Sequence, residues 1–451
     1  MNKSLFIKVA GMLALIILMS LAVSYVNNVI LERQRNQNQV KKDISRSSAN
    51  AQTIIGPVLA IPYTEDYIER TEDYTEKGVK IQKEKAKSRE SVAYFLPENL
   101  HVDGGFSNEY KKLGIYKALM YQLGGIVKGN FRLPENLNIS PKYKDGVITI
   151  QPAYLGFGIS DTRGINGKPT LNFDNKTYKF EQGSHINALG KGIHALLGHI
   201  ESDVEQVLTF TFNLNLLGME RFSFTPLAET NTVELKSSWK HPNFNGSFLP
   251  INKTIGKKGF TAKWTVSSLS SSNQSTLINA LANSKNKNIR QNLESLSVGF
   301  VDPINVYSQA DRATKYGLLF IGLTFVGFFI FEILKQLRIH PAQYTLVGIA
   351  MAMFYLLLIS FAEMIGFASA YLIASTSCVL LLGYYLSFVL KSKVHGLTFS
   401  AFLIALYGAL YGILASEDNA LIMGSLLVFG LLTTIMVMTR KVDWYALNPQ
   451  K

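Results

Sequence analysis

YGLLFIGLTFVGFFIFEIL, Tyr316–Leu334, decides what kind of protein this chain is. A helix rises about 1.5 Å per residue and needs about 20 residues to cross a hydrocarbon core of about 30 Å. Four further apolar blocks follow with short polar punctuation, at 344–362, 365–390, 397–415 and 420–438. None alternates apolar and polar residues as a barrel strand does, and lipid tolerates only helices or closed barrels. Residues 314–440 are therefore expected to form a bundle of five transmembrane helices, with 441–451 as a tail.

Outward from that block, the N-terminus repeats the signal. Lys3 and Lys8 precede an apolar run from Val9 to Val26. Ser20-Leu21-Ala22 resembles a signal-peptidase site, yet the run exceeds the 7–15 residues of a signal peptide core. Residues 1–26 are expected to be a retained anchor, which makes six spans in all.

Loop charge sets the orientation. Lys335, Arg338 and His340 follow the first C-terminal block, Lys391, Lys393 and His395 the third, and Arg440 and Lys441 the fifth. The alternate loops, Glu363-Met364 and Ser416–Asn419, carry no Lys or Arg. Basic loops stay cytoplasmic, so both termini are expected inside and the large central region outside. Arg33, Arg35, Lys41, Lys42 and Arg46 argue the other way after the first helix. Three agreeing loop pairs outweigh them.

Between the membrane segments, residues 27–53 read as a polar helical stalk and 54–313 as one β-rich α+β domain, a sandwich or curled sheet. Val207–Leu217 (VLTFTFNLNLL) shows the period of a half-buried strand. Strands are also expected at Ser91–Leu96, Gly124–Leu133, Gly146–Tyr154, Leu171–Phe173, Thr232–Trp239, Phe260–Val266 and Leu296–Tyr307. Pro57 and Pro62 make Ile54–Tyr63 a bent or edge strand. Ile68–Glu90 reads as a solvated charged hairpin or loop, and Gly192–Leu197 and Leu277–Leu293 as helical.

The 451 residues carry a formal net charge of +13. Outside the membrane segments the charges are mixed in sign and spread along the chain, which argues against nucleic acid as a partner. Cys378 is the only cysteine, so an internal disulfide is impossible. His194 and His199 are five apart, not the i,i+4 of a helical metal pair, and no HExxH, GxSxG, Walker A or dinucleotide fingerprint occurs. No catalytic residue, metal or cofactor is expected. Inside the five spans no Asp, Glu, Lys, Arg or His falls at mid-depth, which argues against a proton relay. Tyr316, Tyr344, Tyr371 and Tyr411 are candidates for interfacial anchoring or interhelical hydrogen bonds, and Gly408 with Gly412 for close helix packing.

Several passages, in order and spanning nearly the whole chain, resemble the CreD family of bacterial inner-membrane, cell envelope integrity proteins. They are GPVLAIPY (Gly56–Tyr63), LGIY (Leu113–Tyr116), ISDTRGI (Ile159–Ile165), SSWKHPNFNGSFLP (Ser237–Pro250), QADRATKYGLLFIGLTFVGFFIFE (Gln309–Glu332), HPAQYTLVGIAMAMFYLLLISFAEMIGF (His340–Phe367) and TRKVDWYA (Thr439–Ala446). The resemblance implies an inner-membrane protein with its large domain in the periplasm, linked to envelope homeostasis and to CreBC-type, β-lactam-related responses. It implies no catalytic residue or cofactor, and it supports the retained anchor.

The expectation is a non-enzymatic protein whose partners, besides the lipid bilayer, are envelope proteins or other envelope components; its oligomeric state is left open. The alternative is a transporter or flippase with a polar cavity near Tyr384, Tyr385, Tyr407 and Tyr411. Candidate binding or coupling residues are Asp161 and Arg163 in a glycine-flanked loop, His241 in WKHPNFNG, and Asp311 and Arg312 at the membrane join, the last two also candidates for an interfacial salt bridge.

Overall fold

In the computed structural model, residues 3–74, 80–282, 289–300, 305–334, 339–390, 392–415 and 420–440 are described. The chain forms two units, Val40–Pro303 and the pair Met1–Gln39 with Ile304–Lys451. The helix α1 (Lys3–Ser47) contributes residues to both.

Val40–Pro303 is a β-sandwich. One sheet of nine strands is built on Gln52–Tyr74, which pairs in parallel with Arg221–Thr225 and antiparallel with Ala153–Ile159, Lys80–Phe95 and Val147–Ile150. The other, of eight strands, runs from Asn252–Gly256 through Gly259–Ser267, Thr230–Ser237, Asn99–Leu113, Tyr116–Leu133, Gln206–Met219 and Thr170–Phe173 to Lys176–Lys179. The alternation read in the sequence at Val207–Leu217 is the alternation of burial along Gln206–Met219. Its inward residues Phe210, Phe212 and Leu214 meet Leu155, Phe157 and Ile159 of the first sheet in one core. Phe157 and Phe212 cross edge-on at 5.2 Å, a favoured aromatic geometry. Buried Trp264 donates its indole N–H to the Phe248 carbonyl.

Several local expectations change. Ile54–Tyr63 is bent, with a register irregularity between Ile55 and Val58, but it has neighbours on both sides rather than an edge. The bulge takes Pro57 out of the ladder, so a central strand tolerates it. The hairpin offered for Ile68–Glu90 is present in its described residues, where 68–74 of Gln52–Tyr74 pair with 80–86 of Lys80–Phe95. Gly192–Gly198 is a strand, not a helix, because its apolar run lies between Ala153–Ile159 and Glu181–Gln182 in the sheet. The expected helix at Leu277–Leu293 is the shorter α2 (Asn273–Ala282), followed beyond the undescribed 283–288 by one turn at Arg290–Asn292.

In the helical unit, Tyr307 does not end a strand. It lies in α3 (Val306–Lys315), whose N-cap Asn305 accepts from the Tyr307 N–H. A 45° bend separates α3 from α4 (Gly317–Leu334). Then come α5 (Pro341–Ile365), α6 (Phe367–Val389), α7 (Lys393–Ala415) and α8 (Ala420–Thr439). Among the described residues, α1, α5, α6 and α7 are each long and apolar enough to cross a membrane, and α3 with α4 makes a fifth if counted as one bent span. The described apolar run in α8, Ile422–Thr434, is shorter. Glu363 and Met364 are not a loop but the last turn of α5, which ends at Gly366 in a positive-φ conformation. The basic residues Lys335, Arg338, Lys391 and Lys441, the loop Ser416–Asn419 and the tail 441–451 lie outside the described residues.

Close packing occurs at one of the two expected glycines and at others. A Cβ on Gly412 would come within 3.2 Å of Met423 of α8, while one on Gly408 would meet nothing within 4 Å; one on Gly396 would strike Ser387 of α6 and one on Gly348 would strike Met19 of α1 and Phe325 of α4. The anticipated tyrosine hydrogen bonds include Tyr344 to Glu332 at 3.0 Å and Tyr371 to the Tyr407 carbonyl at 2.7 Å.

Candidate functional site

ISDTRGI builds a clamp within the β unit on the end of α1. A helix leaves its last four carbonyls without intrahelical donors, and its C-terminus carries partial negative charge. Arg163 answers both needs. Its Nη1 donates to the Arg46 carbonyl and its Nη2 to the Ser45 carbonyl at 3.3 Å. The same guanidinium grips Asp161, Nη2 to Oδ2 at 2.6 Å and Nε to Oδ1 at 2.9 Å. This fork-on-fork pairing fixes orientation as well as charge.

Asp161 is buried and also accepts from the Asn50 backbone N–H and side chain, both at 3.1 Å. The Arg163 guanidinium holds its carboxyl well below the usual carboxylate range; burial opposes this, and the Asn50 donors reinforce it. Asp161 further accepts from the Arg163 N–H, starting the turn Thr162–Gly164.

Gln52 locks the clamp from beneath. Its side-chain amide donates to the carbonyls of Asp161 and Leu217, both at 2.9 Å, and accepts from the Asp161 N–H. Gly164 is obligatory, because a Cβ there would collide with the Leu217 carbonyl and the Gln52 amide. Ile44 packs against Ala118 and Met120, and Lys41 pairs with Glu220 at 2.6 Å. Asp161 and Arg163 are thus joined to each other and to α1. Asn50 and Gln52 are the partners that sequence reasoning missed, since they stand over a hundred residues away with no motif of their own.

The other candidates are placed apart from this clamp. His241 is exposed on the approach to Pro242–Gly246, the terminal strand of the nine-stranded sheet. Asp311 pairs with Lys315 one turn on in α3, at 2.7 Å. Arg312 contributes its carbonyl to the Tyr316 N–H at the bend.

A second polar junction lies in the helical unit, and it too escaped the sequence. Glu363 of α5 accepts from the Tyr307 hydroxyl of α3 at 3.0 Å and stands 3.7 Å from Arg33 of α1. Thr314 of α3 donates to Asn27 of α1 at 2.9 Å. Farther along, buried Glu332 accepts from the Tyr344 hydroxyl and, at 3.3 Å, from the Ile339 N–H.

Between α6 and α7 lies a groove of about 730 Å³ lined in part by Tyr371, Ser375, Tyr407 and Tyr411. Of the four tyrosines expected to line a polar cavity, Tyr407 and Tyr411 line this groove and Tyr384 and Tyr385 do not; Tyr384 is 70% exposed. Among the described residues no cluster of three or more His, Cys, Asp or Glu is arranged to hold a metal ion.

The family model described as inner membrane protein CreD matches residues 4–445. Inner membrane protein CreD of Escherichia coli (strain K12) is 32% identical over 455 residues, covering 100% of this chain and 96% of the relative. A crystal structure of a candidate nutrient binding protein from Legionella pneumophila covers 51% of this chain and 74% of its own, at 6% identity and a TM-score of 0.26, too low to bear on the fold.

Proposed function

The chain belongs to the CreD family of inner membrane proteins, and on that premise we propose that it maintains envelope integrity as a non-enzymatic binding protein. In this reading six helices cross the membrane, both termini are cytoplasmic, and the β-sandwich lies in the periplasm, where it binds partner proteins or other envelope components. The membrane unit anchors it, and the response served is of the CreBC, β-lactam-related type.

The observation that carries this reading is the division of polar chemistry between the units. The carboxylates described in the helical bundle are tied to local partners: Glu332 to Tyr344 and Ile339, Glu363 to Tyr307 and Arg33. They serve helix packing and termini rather than a connected proton path. The β unit, with its own core and a locked attachment to the end of α1, carries the surface available for recognition.

The test is chromosomal replacement of the wild-type protein by Arg163→Ala and by Arg312→Ala. Both variants are expected to insert at normal abundance and to lower tolerance of β-lactam stress. Wild-type tolerance of both at normal abundance would remove the coupling roles. The transporter or flippase alternative rests on the α6/α7 groove. It predicts that Gly408→Leu, which fills the groove, abolishes function while the β unit is untouched.

A further inference from the structure

The outer face of the eight-stranded sheet carries a groove of about 610 Å³, within the β unit and separate from the α1 clamp. Strand register places Thr232, His101, Lys128, Thr211 and Asn172 in one row across five strands. Two residues along, Thr230, Asn99, Asn130 and Thr209 form a parallel row. Strands lie about 4.8 Å apart and rows about 7 Å apart, so five strands span about 19 Å. That is room for a short run of sugar rings.

A polar outer face is ordinary for a sandwich. Two features make this one specific. First, the described lining contains no Asp or Glu; its polar groups are amides and hydroxyls, with Lys128 and His101 the ionisable ones.

Second, the amides are held in place before any ligand arrives. Asn99 donates to Asn130 at 3.2 Å, Asn130 donates to Glu98 at 2.7 Å, and Glu98 is paired with Arg132 at 3.0 Å. Fixing a binding side chain beforehand removes part of the entropy cost of binding.

The geometry points to a glycan-binding groove, its occupant a linear cell-wall polysaccharide with hydroxyl and acetamido groups and sparse carboxylates. Rows of amides and hydroxyls match a polymer that presents donors and acceptors along its length. Lys128 complements an occasional carboxylate. A phosphate-dense glycan would call for a basic cluster, which this lining does not supply.

The inference rests on the reading that the β unit binds envelope components. It is tested with full-length protein in detergent, cosedimented with isolated peptidoglycan sacculi and, separately, with purified lipopolysaccharide. Thr211→Glu and Lys128→Glu place negative charge in the groove and are expected to weaken sacculus binding about tenfold or more. Lys179→Glu makes the same charge change at the terminal strand and is expected to stay within about twofold. Circular dichroism confirms that each variant folds. Equal binding by wild type and both groove variants, or capture of lipopolysaccharide in place of sacculi, overturns the assignment. If the wild type ignores sacculi while crosslinking from the β unit still captures an envelope protein, the groove assignment falls and the broader reading stands. Absence of both removes both.

Discussion

Arg163 turns back onto Asp161, two residues before it, and closes a two-pronged ion pair with contacts of 2.6 and 2.9 Å. The pair matters because of what lies on its far side: the last carbonyls of α1, which the same guanidinium caps. In this fold the motif fastens the end of α1.

Asp161→Asn keeps the shape of the clamp and removes its charge. Charge-assisted hydrogen bonds are worth about 1.5–3 kcal/mol each, and the retained amide recovers part of that. The expected loss is about 1–2 kcal/mol, and about 2–4 °C of melting temperature per kcal/mol. Limited proteolysis should then cut faster near Ser48–Ala51. An unchanged melting temperature and cleavage pattern would show that the clamp adds nothing.

The same carboxylate sets a pH dependence. Its pKa is depressed in the folded protein, so its stabilisation is fully present above the unfolded value, about 3.9. It declines as pH falls below that and is lost on passing the folded value. The wild-type minus Asp161→Asn difference in melting temperature should therefore be flat from about pH 5 to 8 and shrink below about pH 4. A difference growing as pH falls would contradict the assignment.

Gly164→Ala forces a Cβ onto the Leu217 carbonyl and the Gln52 amide. Overpacking of this kind costs about 1–3 kcal/mol, and here it also disturbs the Gln52 bonds. Gly167→Ala, three residues on in the same loop, places its Cβ in open space and carries instead the strain of positive φ, which Gly164 lacks, so it sets backbone strain against collision. Thermal unfolding should rank Gly164→Ala the less stable.

Tyr307→Phe removes one hydroxyl from Glu363 and leaves the ring. Loss of a hydrogen bond to a carboxylate that is 11% exposed should cost about 1–3 kcal/mol. The readout is the melting temperature of the detergent-solubilised protein. If Glu363→Gln with Tyr307→Phe is no worse than Tyr307→Phe alone, the residues act together at this junction.

The long apolar blocks and the alternating strand at Val207–Leu217 were legible because burial writes a period into sequence. Gly192–Gly198 was not, since a short apolar run between sheet neighbours carries no period that separates strand from helix. Helix α3 was hidden because its buried residues Tyr307, Ala310, Ala313 and Thr314 are mostly small or polar. For the clamp, Asp161 and Arg163 were visible as a pair, but their purpose depends on Ser45, Asn50 and Gln52, brought near by tertiary structure alone. The polar groove was invisible for the same reason: its rows exist only once five strands are in register.

The most direct measurement is in-cell photo-crosslinking from paired positions, Thr209 in the β unit and Tyr411 in the helical unit, with and without β-lactam. If the β unit carries the function, Thr209 yields discrete adducts with an envelope protein or glycan, and Tyr411 yields only bulk lipid. Specific cargo captured at Tyr411, with nothing captured at Thr209, would contradict it and move the function into the membrane.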